Sequence, residues 1–394
     1  MLDLSKIADQ MQGMSHHLTQ EASATRQRLE RAQILMDQAF QRQAELLELK
    51  QVWRDRLNFT AAAPIEPLNL RGSIAAPPAA HTVIATDGSQ IAPSHHEIAY
   101  CYLINVGRIV LHYGQNRFPL LDSLPEVVYR PEDLYISRQW GISTEEWMGY
   151  RRTVAEAIVL AELGVGMLNS TSLHPTLALT DGSLIYWFLE NLPNEARDRI
   201  LTPILQSWEQ LRQAGIPLAG YLSASRSGEA LNFLRLQACP YETPDCLSRC
   251  AGQRDRAPCQ VLEPLKDAKF WAVQLLPGQR SPLWRSSASI LDLYGAHRVY
   301  FCYVNVGTEI ARVEVPEWVV QDTALLNSSL SLIIAQVQKG YGYPVALAEA
   351  HNQAVVRGGD RTRFFALLEQ EMIRAGLQNV GVSYKEARKR GSIA

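Results

Sequence analysis

The sequence predicts an α/β protein built on a mixed β-sheet flanked by helices, of the ribonuclease-H-like kind. Two observations lead to this prediction. Apolar runs with strand character alternate with amphipathic runs in the order strand, strand, strand, helix, strand, helix, strand. In addition, two of the apolar runs end in the same Asp-Gly-Ser tripeptide, at residues 87–89 and 181–183, which indicates a buried strand that stops at a polar edge.

The individual elements follow from the spacing of apolar residues and of helix and strand breakers. Strands are expected within 97–114, as one or two strands around a turn at Asn105–Gly107, and at 81–88, 176–182, 217–224, 270–275 and 298–315. Helices are expected at 144–163, around 186–214, and at 321–339, 344–356 and 361–376. The proline- and tyrosine-rich residues 115–143 are expected to form a loop.

The N-terminal residues differ from the rest of the chain. Residues 1–57 contain no proline and one glycine, and their apolar residues recur every three or four positions. This spacing predicts a long amphipathic helix or helical hairpin, packed on its own domain or forming a seam with a second copy or with a partner such as an ATPase. The expected domains are a helical segment (1–60), a linker or extended crossing segment (61–80), a main domain (81–376) with a cysteine-rich insertion at about 238–260, and a C-terminal tail (377–394).

Composition and charge exclude several classes of protein. The formal net charge of the 394 residues is −2, which argues against a protein that coats nucleic acid non-specifically. An acidic site with a local basic groove still fits within a neutral total. The sequence shows no run of about 18 apolar residues and no apolar leader, so no membrane span is expected and a cytoplasmic location is predicted. It also lacks a Walker A motif and a dinucleotide fingerprint.

The two Asp-Gly-Ser tripeptides are the predicted chemical centre. An acid at the C-terminal end of a buried strand is held at the sheet edge, and the glycine lets the backbone turn away. If the two strands are neighbours, Asp87 and Asp181 would stand about 5 Å apart. Like charges at that distance favour a divalent cation between them, and oxygen ligands suit Mg²⁺ or Mn²⁺. The alternative is that each tripeptide is only a turn.

Three segments, taken in order, resemble the motifs of the NurA nucleases. The first two are ATDGSQIAPSHHEIAYCYLINVG (85–107) and LTDGSLIYWFLE (179–190), and the third is the tyrosine–histidine motif GYGYPVALAEAHNQAVV (340–356). Together they span roughly residues 81–357. The resemblance implies a ribonuclease-H-like fold and a Mn²⁺-dependent nuclease acting on DNA ends and single strands. It also implies a homodimer that works beside the hexameric ATPase HerA in end resection.

The resemblance further implies roles for individual residues. Asp87 matches the first metal-binding acid, and Asp181 matches the acid of the second strand. Tyr343 and His351 match the late pair, and on a helix they would lie two turns apart on a similar face. A histidine there would ligate metal, position a water or hold the scissile phosphate.

The third carboxylate and the DNA contacts are less closely defined by the motifs. The family uses a glutamate on the helix between the acidic strands, and this sequence offers Glu156, which we favour, or Glu162. The expected mechanism uses two metal ions, one held by Asp87 and this glutamate, the other shared with Asp181. The alternative function is a non-catalytic adaptor that docks a HerA-type ATPase or a DNA end. The arginines expected to contact DNA phosphates are Arg152, Arg226, Arg357 and Arg361.

Four of the six cysteines lie within 21 residues, at Cys239, Cys246, Cys250 and Cys259. The segment around them has three prolines and few apolar residues, so it cannot form its own core and needs a staple. Four thiolates suit a structural Zn²⁺ ion or an iron–sulfur cluster. Their spacing differs from paired Cys-x-x-Cys knuckles, so disulfides, redox thiols and unligated cysteines stay open as alternatives.

Overall fold

The computed structural model describes residues 4–93, 99–168, 174–253 and 256–376. The expected C-terminal tail (377–394) lies outside the described residues. The strands are β1 (Ala63–Pro64), β2 (Gly72–Ser73), β3 (His81–Ile91), β4 (Tyr102–Tyr113), β5 (Leu120–Val128), β6 (Thr176–Asp181), β7 (Leu218–Leu222), β8 (Gln279–Arg280), β9 (Trp284–Arg285), β10 (Val299–Asn305) and β11 (Ile310–Pro316). The α-helices are α1 (Leu4–Gln41), α2 (Gln43–Val52), α3 (Pro131–Leu134), α4 (Thr144–Met167), α5 (Asn194–Gln213), α6 (Leu234–Gln237), α7 (Cys246–Arg249), α8 (Asp267–Trp271), α9 (Glu317–Gln321), α10 (Thr323–Lys339), α11 (Val345–Ala354) and α12 (Gly358–Arg374).

The chain divides into two compact units. The first unit comprises the described residues up to Ile74 together with Tyr221–Glu317, and the second comprises Ala75–Gly220 together with the described residues from Trp318 onward. The described part of the helical segment, the crossing segment as far as Ile74 and the described part of the cysteine-rich stretch therefore belong to the first unit. Among the described residues, no helix combines the length and the apolar character needed to cross a membrane.

The second unit contains a mixed sheet with the strand order β7-β6-β3-β4-β5. Strand β3 runs parallel to β6 and antiparallel to β4, which is itself antiparallel to β5. Helices α4 and α11 both pack on β3 and β4, and α5 packs on α4. The chain order β3, β4, β5, α4, β6, α5, β7 is the order that the sequence predicted. The ribonuclease-H-like mixed sheet flanked by helices is therefore confirmed.

Three local expectations are wrong. Strand β4 runs unbroken through Asn105 and Gly107, so the predicted turn does not form there. The third strand, β5, instead lies within residues 115–143, which were expected to be a loop; its Pro125 is tolerated because β5 ends the strand order. Residues 270–275, expected to be a strand, belong to α8 and the turn after it, because a short apolar run does not by itself distinguish helix from strand.

The first unit is held together by the N-terminal helices. The second half of α1 and part of α2 bury Ala32, Met36 and Leu46 against a core that also includes Phe233, Phe270, Trp271, Phe301 and Tyr303. The residues after them form an extended crossing segment, in which Ala61–Ala63 are buried and β1 and β2 pair with β9 and β8. By contrast, the first half of α1 leaves several large apolar side chains exposed, namely Leu4, Met11, Met14 and Leu18. The second half of the helix therefore packs on its own unit, and a partner contact through the first half stays a prediction.

Candidate active site

Two acids lie where the parallel pairing of β3 and β6 ends. The last paired residues are Thr86 and Thr180, so Asp87 and Asp181 follow directly on neighbouring strands. After Asp181 the chain turns away at Gly182, whose φ of +97° favours glycine. After Asp87 it does not turn, because β3 continues to Ile91 paired with β4. The turn predicted after Asp181 is therefore confirmed, and the turn predicted after Asp87 is wrong.

Gly88 is needed for a different reason. A Cβ atom at this position would lie 2.3 Å from Glu156 Oε1 and 2.6 Å from Arg152 Cγ, so only glycine leaves room for both side chains. Helix α4 carries these two residues one turn apart and thereby brings a third carboxylate next to Asp87. The side chains of Arg152 and Glu156 also form an ion pair, with 3.3 Å between Nε and Oε1.

Asp87 is oriented by two hydrogen bonds. The backbone N–H of Gly88 donates to Asp87 Oδ1 at 2.9 Å, and His351 Nδ1 lies 2.8 Å from Oδ2. The histidine side chain is 67% exposed, whereas that of Asp87 is 24% exposed. The imidazole therefore approaches the acid from the solvent side and remains accessible to a substrate.

Helix α11, which carries His351, is docked on the sheet by residues that the sequence analysis did not single out. A Cβ at Gly107, which pairs with Asp87, would lie 2.3 Å from the backbone oxygen of Ala350, so this glycine lets the helix approach the strand closely. Asn105 Nδ2 donates to the backbone oxygen of Ala354 at 2.7 Å, which ties the last turn of the helix to the same strand. These residues stand in the sequence as Asn-Val-Gly in the opening motif, but that tripeptide was interpreted as a turn.

The start of α11 is held by a buried side chain. Gln336 on α10 is fully buried, and its Oε1 accepts a hydrogen bond from the backbone N–H of Ala346 at 3.0 Å. Its Nε2 donates to the hydroxyl of Tyr113 on β4 at 3.1 Å. Both ends of the helix are therefore fixed by hydrogen bonds.

The acids change each other's ionisation. Burial raises the pKa of Glu156 to about 7; the nearby Arg152 lowers it, while Asp87 and Asp181 raise it further. The other candidate, Glu162, is exposed, and its charge helps to raise the pKa of Arg108. The structure thus places Glu156, and not Glu162, beside the two aspartates.

The pKa of Asp181 also depends on its neighbours in the site. Burial raises its pKa, a hydrogen bond from Tyr343 lowers it, the charge of Asp87 raises it and that of His351 lowers it. Tyr343 lies just before α11, where the chain enters that helix. All five residues predicted for the catalytic site are therefore brought together within the second unit.

The donor set fits a divalent cation. Three carboxyl groups lie near one another, and two of them have raised pKa values, because burial disfavours the charged form and the neighbouring carboxylates add to this effect. A cation between them would relieve this repulsion. As the side chains stand, no three His, Cys, Asp or Glu residues in the described part of the chain form a ready-made metal-binding group. Arg152 and His351 instead pair with two of the acids.

The predicted DNA-binding arginines are distributed unequally. Arg152 lies within the acid group. Arg357 and Arg361 lie at the start of α12 in the same unit, and both are exposed. Arg226 follows β7, is exposed, and belongs to the first unit.

A ribonuclease-H-like sheet that gathers three carboxylates, a histidine and an arginine has the architecture of a nuclease. The particular family follows from comparison with known proteins. The family model described as NurA domain matches residues 81–356, so the chain belongs to the NurA family. The resemblance noted in the sequence is confirmed, and the family supports a nuclease role.

Three solved NurA structures are similar to this chain, and the first of them supports the fold. The crystal structure of the NurA nuclease from Sulfolobus solfataricus is similar with a TM-score of 0.54 at 11% identity, over 96% of this chain and 99% of that one. A structure of NurA with manganese has a TM-score of 0.33 at 12% identity, covering 87% and 99%. A structure of NurA bound to dAMP and manganese has a TM-score of 0.36 at 10% identity, covering 87% and 98%. Among curated proteins, no match was found.

Proposed function

We propose that this chain is a divalent-metal-dependent deoxyribonuclease that cuts DNA at ends and in single strands, in the resection of double-strand breaks. The observation that carries the proposal is the convergence of Asp87, Asp181 and Glu156: the two aspartates follow the last paired residues of β3 and β6, and Glu156 packs against Gly88. Membership of the NurA family gives the substrate class. The manganese and dAMP in other NurA structures belong to those proteins and agree with this assignment.

The proposed metal ligands are Asp87, Glu156, Asp181 and His351, with Mn²⁺ or Mg²⁺ as the cofactor. Two cations fit the proposal, one held by Asp87 and Glu156 and one shared with Asp181. Bound divalent cations would lower the pKa of an attacking water and neutralise charge on the scissile phosphate. Glu156 must lose its proton to act as a ligand, and a pKa near 7 makes this loss easy at neutral pH.

The remaining side chains would position substrate and ligands. Tyr343 would hold Asp181 through its hydrogen bond. The ligand His351 would also orient Asp87 through Nδ1, with its exposed face turned to the metal and the scissile phosphate. Arg152 Nε is ion-paired with Glu156 without forming a hydrogen bond, so the guanidinium would turn to a phosphate once Glu156 binds metal. Arg357 and Arg361, and Arg226 in the first unit, would contact the DNA backbone.

The exposed half of α1 is the proposed protein contact. Leu4, Met11 and Leu18 are seven residues apart and Met14 lies between the last two, which is the spacing of a coiled-coil seam. We assign this stripe to a second copy of the chain in a homodimer. A net charge of −2 provides little electrostatic attraction for DNA, so a HerA-type hexameric ATPase that delivers the strand would compensate. The proposed location of the protein is the cytoplasm.

A nuclease assay tests the proposal. The purified full chain is incubated with linear duplex and single-stranded DNA in Mn²⁺, Mg²⁺ or Ca²⁺, or with chelator. We expect cleavage with Mn²⁺ or Mg²⁺ and none with chelator. A folded protein that cuts neither substrate in any of the metals would instead favour the adaptor function.

A further inference from the structure

The four clustered cysteines line one small cavity in the first unit. Cys239 follows α6, Cys246 begins α7, Cys250 comes directly after α7, and Cys259 lies in the following loop. Three of them are buried and Cys239 is half-buried, and all are free thiols. All four line the same cavity, and Cys250 and Cys259 also pack into one buried cluster.

The cavity also holds a positive charge without a full set of partners. Arg235, only 6% exposed, lines it; its Nε donates to Cys259 Sγ at 3.4 Å and its guanidinium stacks over Phe59 at 3.8 Å. Within the described part of the chain, its Nη2 has no hydrogen-bond partner. A buried guanidinium with an unused donor is costly unless negative charge lies beside it. The backbone N–H of Tyr241 also donates to the sulfur of Cys239. Two N–H donors thus already point at sulfur atoms.

We propose that Cys239, Cys246, Cys250 and Cys259 bind one Zn²⁺ ion in a tetrahedral structural site, with Arg235 as its countercharge. Four thiolates around Zn²⁺ carry a net charge of −2, which the guanidinium offsets in part. Binding releases the thiol protons and removes the mutual repulsion of the sulfurs. The four sulfurs are not a ready-made ligand group among the described residues, so zinc draws them together around the cavity.

The role of this site is to fix a segment that has little else to hold it. The buried residues around Cys250 and Cys259 form a small cluster with Ala257, packed on Phe59 and Ala238. On its other side, Arg56 pairs with Asp245 at 2.8 Å, but this pair is partly exposed and therefore weak. Zinc would staple the segment to the residues that follow α2. The acids belong to the second unit, so this inference does not depend on the nuclease assignment.

Metal analysis of the full chain, grown with zinc and purified without chelator, tests the proposal. We expect about one zinc per chain in the wild type and less than about a tenth in Cys246→Ser and Cys259→Ser. The matched control is Cys302→Ala, which removes a buried cysteine of the same unit and should keep about one zinc. On the wild type itself, an organomercurial reagent should release one zinc per chain, and Co²⁺ substitution should give the visible absorption of tetrahedral cobalt thiolate.

Four outcomes overturn the proposal. The first is wild-type protein with less than about a tenth of an equivalent of zinc. The second is iron with iron–sulfur absorption, and the third is the four cysteines paired as disulfides. The fourth is Cys302→Ala losing as much zinc as Cys246→Ser. The wild-type measurements keep the proposal falsifiable even if a cysteine variant fails to fold.

Discussion

The acid cluster (Asp87, Glu156 and Asp181) and the cysteine cluster (Cys239, Cys246, Cys250 and Cys259) hold their side chains in opposite ways. The acids come from two strands and a helix that are distant in the chain, and sheet register and close helix packing place them. The cysteines come from 21 consecutive residues with one short helix. The acid cluster is therefore placed by sheet register and helix packing, whereas we propose that the cysteine segment is ordered by a metal.

The largest expected effect is the loss of nuclease activity in Asp87→Asn. Asp87 contacts His351 and is coupled to both other acids, so an amide removes a charge on which the whole cluster depends. We expect the rate on linear DNA with Mn²⁺ to fall by about a thousandfold or more, equivalent to about 4 kcal/mol. The matched control is Glu162→Gln, on the exposed side of the same helix as Glu156, which should cut like the wild type. Equal rates for Asp87→Asn and wild type would remove Asp87 from the site.

The second effect tests whether the close docking of α11 on β4 positions the site, without changing any acid. In Gly107→Ala the new methyl group meets the backbone of α11 at Ala350, so the helix must shift and His351 moves away from Asp87. A displacement of about 1 Å at a catalytic group costs on the order of a hundredfold in kcat/KM. The control is Gly149→Ala on α4, where a Cβ meets nothing within 4 Å. If both variants retain wild-type kcat/KM, close helix docking is not what positions the site.

The third effect is a dependence of stability on pH that follows from the raised pKa of Glu156. The pKa of Glu156 is raised from 4.5 to about 7 in the folded protein, so the folded state binds this proton more tightly than the unfolded state. Without metal, the free energy of unfolding should therefore decrease as pH rises from about 4.5 to about 7. Glu156→Gln should melt higher than wild type at pH 8 without metal, and the difference should vanish near pH 4. Thermal melts at both pH values with chelator provide the measurement, and a pH-independent difference contradicts the assigned pKa.

With metal present, we expect Glu156 to make the affinity for Mn²⁺ increase with pH. A proton must leave Glu156 before it can bind Mn²⁺, so affinity should rise with pH up to about 7, by at most about tenfold per pH unit for one proton. Calorimetric titration with Mn²⁺ at several pH values measures this directly. Affinity that is flat between pH 5 and 7 would separate Glu156 from the metal.

The fourth effect concerns the cysteine cluster and is smaller. Arg235→Leu removes the countercharge beside Cys259, so zinc should be lost faster to a competing chelator, by about tenfold for about 1.4 kcal/mol. Arg235→Lys should recover part of the difference. Limited proteolysis should cut the segment 238–260 sooner in Arg235→Leu, while the rate of DNA cleavage changes little. A variant that holds zinc as firmly as wild type would show that the guanidinium serves packing alone.

The smallest expected effect on catalysis comes from the N-terminus. A chain that begins at residue 22 lacks the exposed apolar stripe of α1 but keeps the buried Ala32, Met36 and Leu46. We expect it to fold, to cut DNA as the wild type does, and to lose dimer mass in light scattering. Unchanged dimer mass would place the contact between copies elsewhere.

The sequence predicted the order of the elements and the acids of the site because strand ends and motif order are local signals. It could not predict what depends on packing between distant residues. His351 meets Asp87 across 264 positions of the chain, and Gly107 is interpretable only once α11 lies on β4. Glu156 and Glu162 could not be separated until α4 was oriented. Arg235 gave no sequence signal, because its meaning comes from the cavity that it lines.

Anomalous diffraction at the manganese edge, from crystals of the wild-type protein soaked in Mn²⁺, tests the central claim most directly. We expect an anomalous peak within ligand distance of Asp87 and of Glu156 or Asp181, with the Arg152–Glu156 ion pair broken. The same soak of Asp87→Asn crystals should show that peak lost or strongly reduced. A well-ordered wild-type crystal with no manganese at the acid cluster, or with manganese only elsewhere, would contradict the account.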